Sequence, residues 1–311
     1  MKQKKLIKRF VVEKPDRFRL SDHDPAYSGG FGVEKDMAKT ILTSDIKRLS
    51  ELQERLYAQE RWAVLVILQG MDAAGKDGVI KHVMTGVNPL GCDVHAFKTP
   101  SSEELSHDFL WRTNMRLPER GRIGIFNRSY YEEVLIVRVH PEVLAKEKLP
   151  RDLVTKNIWK QRFKDIRSLE RYLVRNGTLI VKFFLHMSRE EQRRRLLARL
   201  DEPAKRWKFS SSDIKERSHW DDYMAAYEAM IRHTSTEEAP WHIIPADHKW
   251  FAQMVVASTI IEALDSLNIE FPKVEGPALD EMNRVRDALL DEDTSSIRLS
   301  DEPRRLVRSL S

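Results

Sequence analysis

The chain has 311 residues, enough for one large domain or two small ones, and its 41% hydrophobic and 32% charged residues are typical of a globular protein. Its formal net charge of +5 is unevenly placed: basic residues outnumber acidic ones by eight to two in residues 1–20 and by ten to six in residues 189–217, which suggests a polyanionic partner. The single cysteine, Cys92, excludes an intrachain disulfide. No run approaches the roughly 18 consecutive apolar residues of a membrane span. We therefore expect a cytoplasmic protein without a membrane partner.

Short apolar runs alternate with stretches of helical periodicity along most of the chain. The apolar runs predict five strands, at 62–69, 92–97, 122–126, 178–186 and 241–246. Helices are predicted at 36–60, from the segment after the first strand to about Thr85, at 101–116, 151–176, from Ser188 to about 200, at 213–233 and at 249–267. This alternation predicts an α/β fold with a parallel five-stranded sheet flanked by helices.

The same pattern divides the chain into three regions. Residues 1–35 are basic and predicted to be irregular, whereas residues 36–270 carry the alternating elements and are predicted to form one domain. Within this domain, residues 188–233 lie between the fourth and fifth strands and are predicted to form a helical lid. Residues 271–311 are a tail of mixed charge, which we expect to be partly disordered or to contact another subunit.

The first predicted strand runs directly into the spacing G-x-x-x-x-G-K, from Gly70 to Lys76. A strand, a glycine-rich turn and a helix start together predict a phosphate-binding loop, because backbone N–H groups and the helix N-terminus attract an anion. The residues of this predicted loop are Gly70, Ala73, Ala74, Gly75, Lys76, Asp77 and Gly78. The alternative is a structural turn followed by a surface lysine.

Two carboxylates make this loop unusual, since Asp77 stands where a Ser or Thr is expected and Asp72 lies inside the loop. A carboxylate about 4 Å from a phosphate oxygen is repelled by about 4 kcal/mol at an effective dielectric near 20, so Lys76 offsets only one such pair. Mg²⁺ binds carboxylates and phosphate oxygens together. We therefore expect Asp72 to hold Mg²⁺, with Mn²⁺ as a substitute. Asp77 is either a second ligand or an acid that favours the helix dipole.

A second polar segment, FNRSYYEE, follows the third predicted strand. Arg128 can bind phosphate through its forked guanidinium, whereas Asn127 offers a metal only a neutral oxygen. Glu132 and Glu133 are candidate metal ligands that supply the missing charge, and their alternative interpretation is as acids of a first helical turn. Carboxyl ends of parallel strands are where ligands bind, so this segment and the loop at 70–77 are expected to meet.

The predicted lid combines basic residues with an aromatic side chain. Arg193 lies in the basic helix, and Lys205 and Lys208 flank Trp207 in the following loop. Basic residues beside an exposed aromatic ring suit phosphate binding together with base stacking. The alternative is a solvated lid in which Trp207 is structural. The ten histidines form no metal-binding spacing, so we expect no zinc site.

Five segments, in order from Gly70 to Asp247, resemble the polyphosphate kinase 2 family. They are GMDAAGKDG, FNRSYYEEVLIVRVHP, KRWKFSSSD, WDDYMAAYEAMI and APWHIIPAD, and the likeness extends over about residues 36–268. The resemblance implies a thymidylate-kinase-like P-loop kinase fold with a helical lid, Mg²⁺-dependent phosphoryl transfer between inorganic polyphosphate and nucleotides, and a homo-oligomer, either a dimer or a tetramer.

The resemblance also implies roles for individual residues. Asp72 and Lys76 match the essential loop residues, Arg128 matches the arginine of the second motif, and Lys81 matches a basic position that lines the polyphosphate channel. Arg193, Lys205 and Lys208 are implied to grip polyphosphate or nucleotide phosphates, and Asn127, Arg128 and Trp207 to bind the nucleotide. Many members carry Asp where this chain has Asn127, and FNRSYYEE resembles the class III branch, which implies use of both AMP and ADP.

Three functions are compatible with these residues. The first is phosphoryl transfer from polyphosphate to adenine or guanine nucleotides, with Asp72, Lys76 and Arg128 as the catalytic residues. The second is an ATP-dependent nucleoside monophosphate kinase, which the missing Ser or Thr after Lys76 disfavours. The third is a non-enzymatic RNA- or polyanion-binding protein; the net acidic charge outside the two basic segments makes it the weakest, and we expect no nucleic-acid partner.

Overall fold

The computed structural model describes residues 2–29 and 34–290. Contacts divide the chain into two units, residues 1–268 and residues 269–311. The described part of the second unit contains one helix, α12 (Pro277–Leu290). Residues 291–311 of the predicted tail lie outside the described residues, as do residues 30–33 of the predicted N-terminal segment.

The first unit is built on one sheet of five parallel strands. The strands are β1 (Ala63–Gln69), β2 (Cys92–Ala96), β3 (Ile123–Asn127), β4 (Thr178–His186) and β5 (Trp241–Pro245), in the spatial order β2-β3-β1-β4-β5. All seven residues of the central strand β1 are buried, which explains why its sequence is continuously apolar rather than alternating. The predicted α/β fold with a parallel five-stranded sheet is confirmed.

Helices flank this sheet. They are α1 (Lys2–Lys8), α2 (Lys35–Gln59), α3 (Lys76–Val83), α4 (Trp111–Asn114), α5 (Ile136–Val139), α6 (Pro141–Leu144), α7 (Ile158–Arg175), α8 (Arg189–Asp201), α9 (Ser212–Ser218), α10 (Trp220–Thr234) and α11 (Lys249–Asp265). Helix α11 packs on α2 and α3, whereas α7 packs on β4 and α10. No helix in the described parts of the chain combines the length and apolarity needed to cross a bilayer.

The register of the sheet places the two polar segments side by side. Leu68, near the end of β1, lies opposite Asn127, the last residue of β3. Because the two strands are parallel, the segments that follow them leave the sheet at the same edge. The loop at 70–77 and the segment at 128–133 are therefore neighbours, as their positions after predicted strands indicated.

The first residues of the chain differ from the prediction of an irregular segment, because Lys2–Lys8 forms helix α1. The residues after it pair with the edge strand β5: the Val12 N–H donates to Trp241 O at 2.9 Å, and the Ile243 N–H donates to Phe10 O at 2.8 Å. The buried apolar side chains of this segment are Leu6, Ile7, Phe10, Val12, Phe18 and Leu20. The segment thus covers a sheet edge that would otherwise expose unpaired backbone groups.

Two predicted helices are interrupted. In the helix predicted at 101–116, Ser101 and Glu104 cap each other, but the helix stops at Ser106 after one 3₁₀ turn. Asp108 begins a separate turn, because its side chain accepts the Leu110 N–H. The helix predicted at 213–233 is divided into α9 and α10 at His219. The break allows Trp220 and later residues to be buried while α9 buries none of its side chains.

A buried polar network lies beneath the carboxyl edge of the sheet. Lys182 of β4 is completely buried, and its Nζ donates to Glu170 Oε2 at 2.6 Å, Tyr131 Oη at 3.0 Å and Thr234 O at 2.7 Å. The other oxygen of Glu170 accepts hydrogen bonds from the Tyr130 and Tyr131 hydroxyls, at 2.9 and 2.6 Å. The network therefore ties the turn after β3 to β4, α7 and α10.

Replacing Lys182 by methionine is expected to lower the free energy of unfolding by about 3–5 kcal/mol, because Glu170 is left as a buried charge without its cation. The double variant Lys182→Met with Glu170→Gln removes that charge and is expected to recover part of the loss. Urea unfolding of both variants, with Lys164→Met on the exposed face of α7 as the control, measures these differences. Equal stability of the single variant and the control would contradict the expectation.

Candidate active site

The loop between β1 and α3 has the backbone conformation of an anion-binding turn. Gly70 has φ +153°, and a Cβ there would lie 2.9 Å from Leu185 O, so no larger residue fits. Ala73 has φ +65° and Gly75 has φ +108°, and α3 begins at Lys76. Successive residues with such left-handed conformations turn their N–H groups toward one side, which creates a concave site for an anion.

Lys76 lies beneath this turn. Its side chain is buried, and Nζ donates to Gly70 O at 2.6 Å and to Met71 O at 3.2 Å. Burial lowers the pKa of Lys76 to about 8, and the positive charge of Arg128 acts in the same direction. The ammonium group is therefore held at the phosphate-binding loop, and its charge is sensitive to pH near neutrality.

The lowered pKa of Lys76 predicts how activity depends on pH. Lys76 loses its positive charge as the pH rises through about 8, so kcat/KM for polyphosphate is expected to fall above that pH. Arginine does not titrate in this range, so the residual activity of Lys76→Arg is expected to lack this decline. Initial rates between about pH 6.5 and 9.5 measure both profiles. The same decline in both proteins would assign it to another group.

Arg128 joins the loop to the segment after β3. Its Nη2 donates to Asp72 Oδ1 at 2.6 Å, and its Nη1 lies 3.9 Å from Glu132 Oε2. Arg128 has φ +65°, an uncommon conformation for a non-glycine residue that is often found at functional sites. Burial raises the pKa of Glu132, whereas Arg128 and Lys76 oppose that rise. Two carboxylates and two cations thus meet at the edge of the sheet.

The donors around Arg128 fit a magnesium ion. Mg²⁺ is commonly held by one or two carboxylates together with substrate phosphate oxygens, and Asp72 and Glu132 supply two carboxylates here. The Nε2 of Gln69 donates to Ser129 Oγ at 3.2 Å, whereas its buried Oε1 has no hydrogen-bond partner. Within the described residues, no group of three or more His, Cys, Asp or Glu is placed to hold a metal. An ion at Asp72 and Glu132 would complete its coordination with substrate phosphate oxygens and water.

Glu133 does not join this group, which corrects its selection as a metal ligand. Its carboxylate is buried and lies 3.0 Å from Arg112 Nη2 and 3.7 Å from Arg162 Nη1. Tyr130–Val134 is a 3₁₀ helix with about three residues per turn, so adjacent side chains point in directions about 120° apart. Glu132 therefore points toward Arg128, whereas Glu133 points into a structural ion-pair network.

The other predicted residues of the loop lie along the start of α3. Asn127 Nδ2 donates to Asp77 Oδ1 at 2.7 Å, so these two residues bridge the loop helix and the end of β3. This contact is compatible with Asp77 as a second metal ligand and with Asp77 as an acid that favours the dipole of α3. Lys81 is exposed one turn further along α3.

The lid residues selected from the sequence lie at the surface. Arg193 forms an ion pair with Glu190 at 2.8 Å, and Lys205 forms one with Glu202 at 2.5 Å. Lys208 Nζ lies 5.0 Å from the centre of the Trp207 ring. Trp207 is 78% exposed, which is incompatible with a structural role in the core and leaves its ring accessible to a ligand.

Two residues near the site, Asp213 and Tyr227, were not selected from the sequence as site residues. Asp213 was predicted only as the start of a helix. Its Oδ2 lies 2.5 Å from Arg199 Nη1, and burial, followed by the negative charge of Asp72, raises its pKa. Tyr227 is buried, and burial followed by the charge of Glu132 raises its pKa. Both residues lie in segments that resemble the family, Asp213 in KRWKFSSSD and Tyr227 in WDDYMAAYEAMI. Nothing else in the sequence distinguishes them as site residues.

Comparison with known proteins agrees with this geometry. The model of the family described as polyphosphate kinase 2 matches residues 32–272. The chain is 53% identical over 268 residues to the ADP-polyphosphate phosphotransferase of Rhodopseudomonas palustris, covering 86% of this chain and 91% of that protein. It is 45% identical over 269 residues to the AMP/ADP-polyphosphate phosphotransferase of Meiothermus ruber, covering 86% and 97%.

A solved structure shows the same fold. The crystal structure of polyphosphate kinase 2 from Arthrobacter aurescens superposes with a TM-score of 0.82 at 40% sequence identity, covering 90% of this chain and 96% of that one. This similarity confirms the P-loop kinase fold that the strand, loop and helix of residues 63–83 indicated. Sequence and fold agree, and the chain belongs to the polyphosphate kinase 2 family.

Proposed function

We infer that this chain transfers phosphoryl groups from inorganic polyphosphate to nucleotides. The observation that carries this inference is the convergence of Lys76, Asp72, Arg128 and Glu132 at one edge of the sheet, in a chain whose close relatives are named polyphosphate phosphotransferases. Donor and acceptor are both strongly negative, so the reaction needs charge neutralisation and alignment more than it needs a covalent nucleophile.

The proposed roles follow from these positions. The loop N–H groups and Lys76 bind the phosphoryl group that is transferred. Arg128 is released from Asp72 when substrates bind, and its fork then contacts phosphate oxygens and stabilises the charge that develops during transfer. Lys81, Arg193, Lys205 and Lys208 remain proposed contacts for the polyphosphate chain. They are exposed or bound only to neighbouring acids of the lid, so a polyanion can reach them.

We assign the metal site to Asp72 and Glu132, with Glu133 removed from the set. Mg²⁺ held there would neutralise charge on both substrates and let two anions approach each other. Asp72 would then hold the cation in place of its ion pair with Arg128. The short contact between Asp72 and Arg128 keeps the carboxylate paired until then.

The acceptor is proposed to be AMP or ADP. The relative from Meiothermus ruber is named for both nucleotides, and the one from Rhodopseudomonas palustris for ADP alone. The segment FNRSYYEE, with Asn127 in place of Asp, supports use of both. Trp207 and Asn127 are proposed to contact the nucleotide, and guanine nucleotides stay as alternative acceptors. A homo-oligomeric state and a cytoplasmic location also remain proposals.

A nucleotide panel tests the proposed function. The purified chain is incubated with Mg²⁺ and polyphosphate, without ATP, and with AMP, ADP, GMP or GDP in turn. Formation of ADP and then ATP from AMP supports transfer from polyphosphate to both adenine nucleotides. If only ADP is phosphorylated, the acceptor is ADP and not AMP. The absence of product with every nucleotide rejects the proposal.

The alternative of an ATP-dependent nucleoside monophosphate kinase is tested in the same assay. Replacing polyphosphate by ATP, with AMP as the acceptor, gives ADP only if ATP is a donor. The acid Asp77, where a hydroxyl would bind Mg²⁺ in an ATP-dependent P-loop enzyme, makes efficient transfer from ATP unexpected.

A further inference from the structure

The lid helix α8 carries one arginine that is buried, Arg195. Each of its guanidinium nitrogens donates to an oxygen of the protein itself. The acceptors are the carbonyls of Ala73 (3.0 Å), Ala74 (2.8 Å), Ala246 (2.5 Å) and Asp247 (3.1 Å), and the carboxylate of Glu191 (2.7 Å). A guanidinium has five N–H donors, and five protein oxygens occupy them. Arg195 therefore has no donor left for a phosphate.

A second residue on the same face of α8 makes an equivalent contact. Gln192, three residues earlier, donates from Nε2 to Asp72 O at 3.1 Å, and its own Oε1 accepts from Arg217 Nη1 at 2.9 Å. Gln192 and Arg195 thus bind three consecutive loop carbonyls, those of residues 72–74. The outward side of the phosphate-binding loop is fixed to α8.

The direction of these carbonyls determines the direction of the N–H groups. In a planar trans peptide the C=O and the following N–H point to opposite sides. Carbonyls 72 and 74 that face α8 therefore turn the N–H groups of Ala73 and Gly75 to the other side of the loop. Ala73 has φ +65°, which is unfavourable for alanine, so the loop needs outside contacts to hold this conformation.

We propose that Arg195 is a positioning residue, which together with Gln192 fixes the carbonyls of residues 72–74 against α8 and thereby aims the Ala73 and Gly75 N–H groups at the phosphoryl group. The same guanidinium binds the chain after β5 at residues 246–247, so it sets the loop against the sheet edge as well as against the lid. The proposal rests on the proposed function, because it assumes that a phosphoryl group occupies the loop.

The neighbouring Arg194 provides a matched control. Its side chain is 65% exposed and forms one ion pair, with Glu191 at 2.8 Å. Arg195→Lys keeps the charge but cannot reach the loop and residues 246–247 together, so we expect kcat to fall about 100-fold. Arg194→Lys is expected to stay within about twofold of the unchanged chain, as exposed ion pairs contribute little.

The salt dependence separates positioning from direct phosphate binding. Each direct contact between a cation and a polyanion adds about one unit to the slope of log affinity against log salt concentration. Arg195→Lys and Arg195→Met are both expected to keep the slope of the unchanged chain. A smaller slope in Arg195→Met, or a kcat within about threefold of the unchanged chain in Arg195→Lys, overturns the proposal.

Gln192→Met is a milder test that does not remove a buried charge. It removes the donor to the Asp72 carbonyl and the acceptor of Arg217 Nη1, which keeps its hydrogen bond to Arg189 O at 2.8 Å. We expect kcat to fall about tenfold, with a melting temperature close to that of the unchanged chain. An unaltered kcat in this variant contradicts the proposal even if the Arg195 variants fail to fold.

Calorimetric binding of tripolyphosphate, without nucleotide, separates failure of this proposal from failure of the proposed function. If the unchanged chain binds tripolyphosphate but phosphorylates no nucleotide, and Arg195→Lys binds it about tenfold more weakly, the function is wrong and the positioning role stands. If the unchanged chain turns over polyphosphate and Arg195→Lys matches it in both assays, the positioning role is wrong and the function stands.

Discussion

Replacing Asp72 by asparagine is expected to reduce turnover with polyphosphate by about 10³-fold. A carboxylate about 4 Å from a cation is attracted by about 4 kcal/mol per unit of cation charge at an effective dielectric near 20, and 4 kcal/mol corresponds to about three powers of ten in rate. The amide has nearly the shape of the carboxylate, so packing around the loop is conserved. Initial rates with AMP or ADP under saturating polyphosphate measure the loss.

Asp93→Asn is the matched control for this change. Asp93 lies near the start of β2 and pairs with Arg122 at 3.3 Å, at the edge of the sheet opposite the site. Its replacement removes the same charge without touching the loop, so the rate should stay within about twofold. Retention of more than about a tenth of the rate in Asp72→Asn would refute an essential role for that carboxylate.

Replacing Arg128 by lysine is expected to lower kcat about 10²-fold with a smaller change in KM. Lysine keeps the positive charge but loses the planar fork that binds two oxygens at once, and this fork is needed most when charge develops on the transferred group. The φ of +65° at position 128 is available to either residue at the same cost, so backbone strain does not differ between the two proteins. Steady-state kinetics separate kcat from KM.

Arg122→Lys is the control for the arginine, since Arg122 precedes β3 at the far edge of the sheet. If Arg128→Lys kept kcat and raised only KM, Arg128 would bind the substrate in its ground state without stabilising the transition state. That result would remove Arg128 from the catalytic residues and leave it as a binding residue.

The sequence predicted the parts of the fold that depend on local patterns. The five strands are short apolar runs, and β4, at Thr178–His186, begins and ends at the predicted residues. The pairing of Phe10 and Val12 with β5 was not predictable in the same way, because it joins residues more than 200 positions apart and the N-terminal segment is too short to show a strand pattern. The helix that stops at Ser106 was missed because a competing side-chain contact of Asp108, rather than periodicity, ends it.

The sequence predicted which segments form the site, but it did not identify every residue within them. Asp72, Lys76 and Arg128 were found because a strand end and a glycine spacing fix where they lie. Glu132 and Glu133 could not be distinguished, since a sequence does not reveal which of two adjacent side chains in the turn after β3 faces the loop. Arg195 was hidden among neighbouring arginines, because a sequence does not reveal which face of α8 meets the loop.

The most direct test of the account is a titration of Mn²⁺ into the unchanged chain and into Asp72→Asn, with tripolyphosphate present, followed by electron paramagnetic resonance. We expect Asp72→Asn to bind Mn²⁺ at least about tenfold more weakly, and Asp93→Asn to bind it as the unchanged chain does. Equal affinity in all three proteins would show that the carboxylate at the end of β1 does not hold the cation that brings the two anionic substrates together.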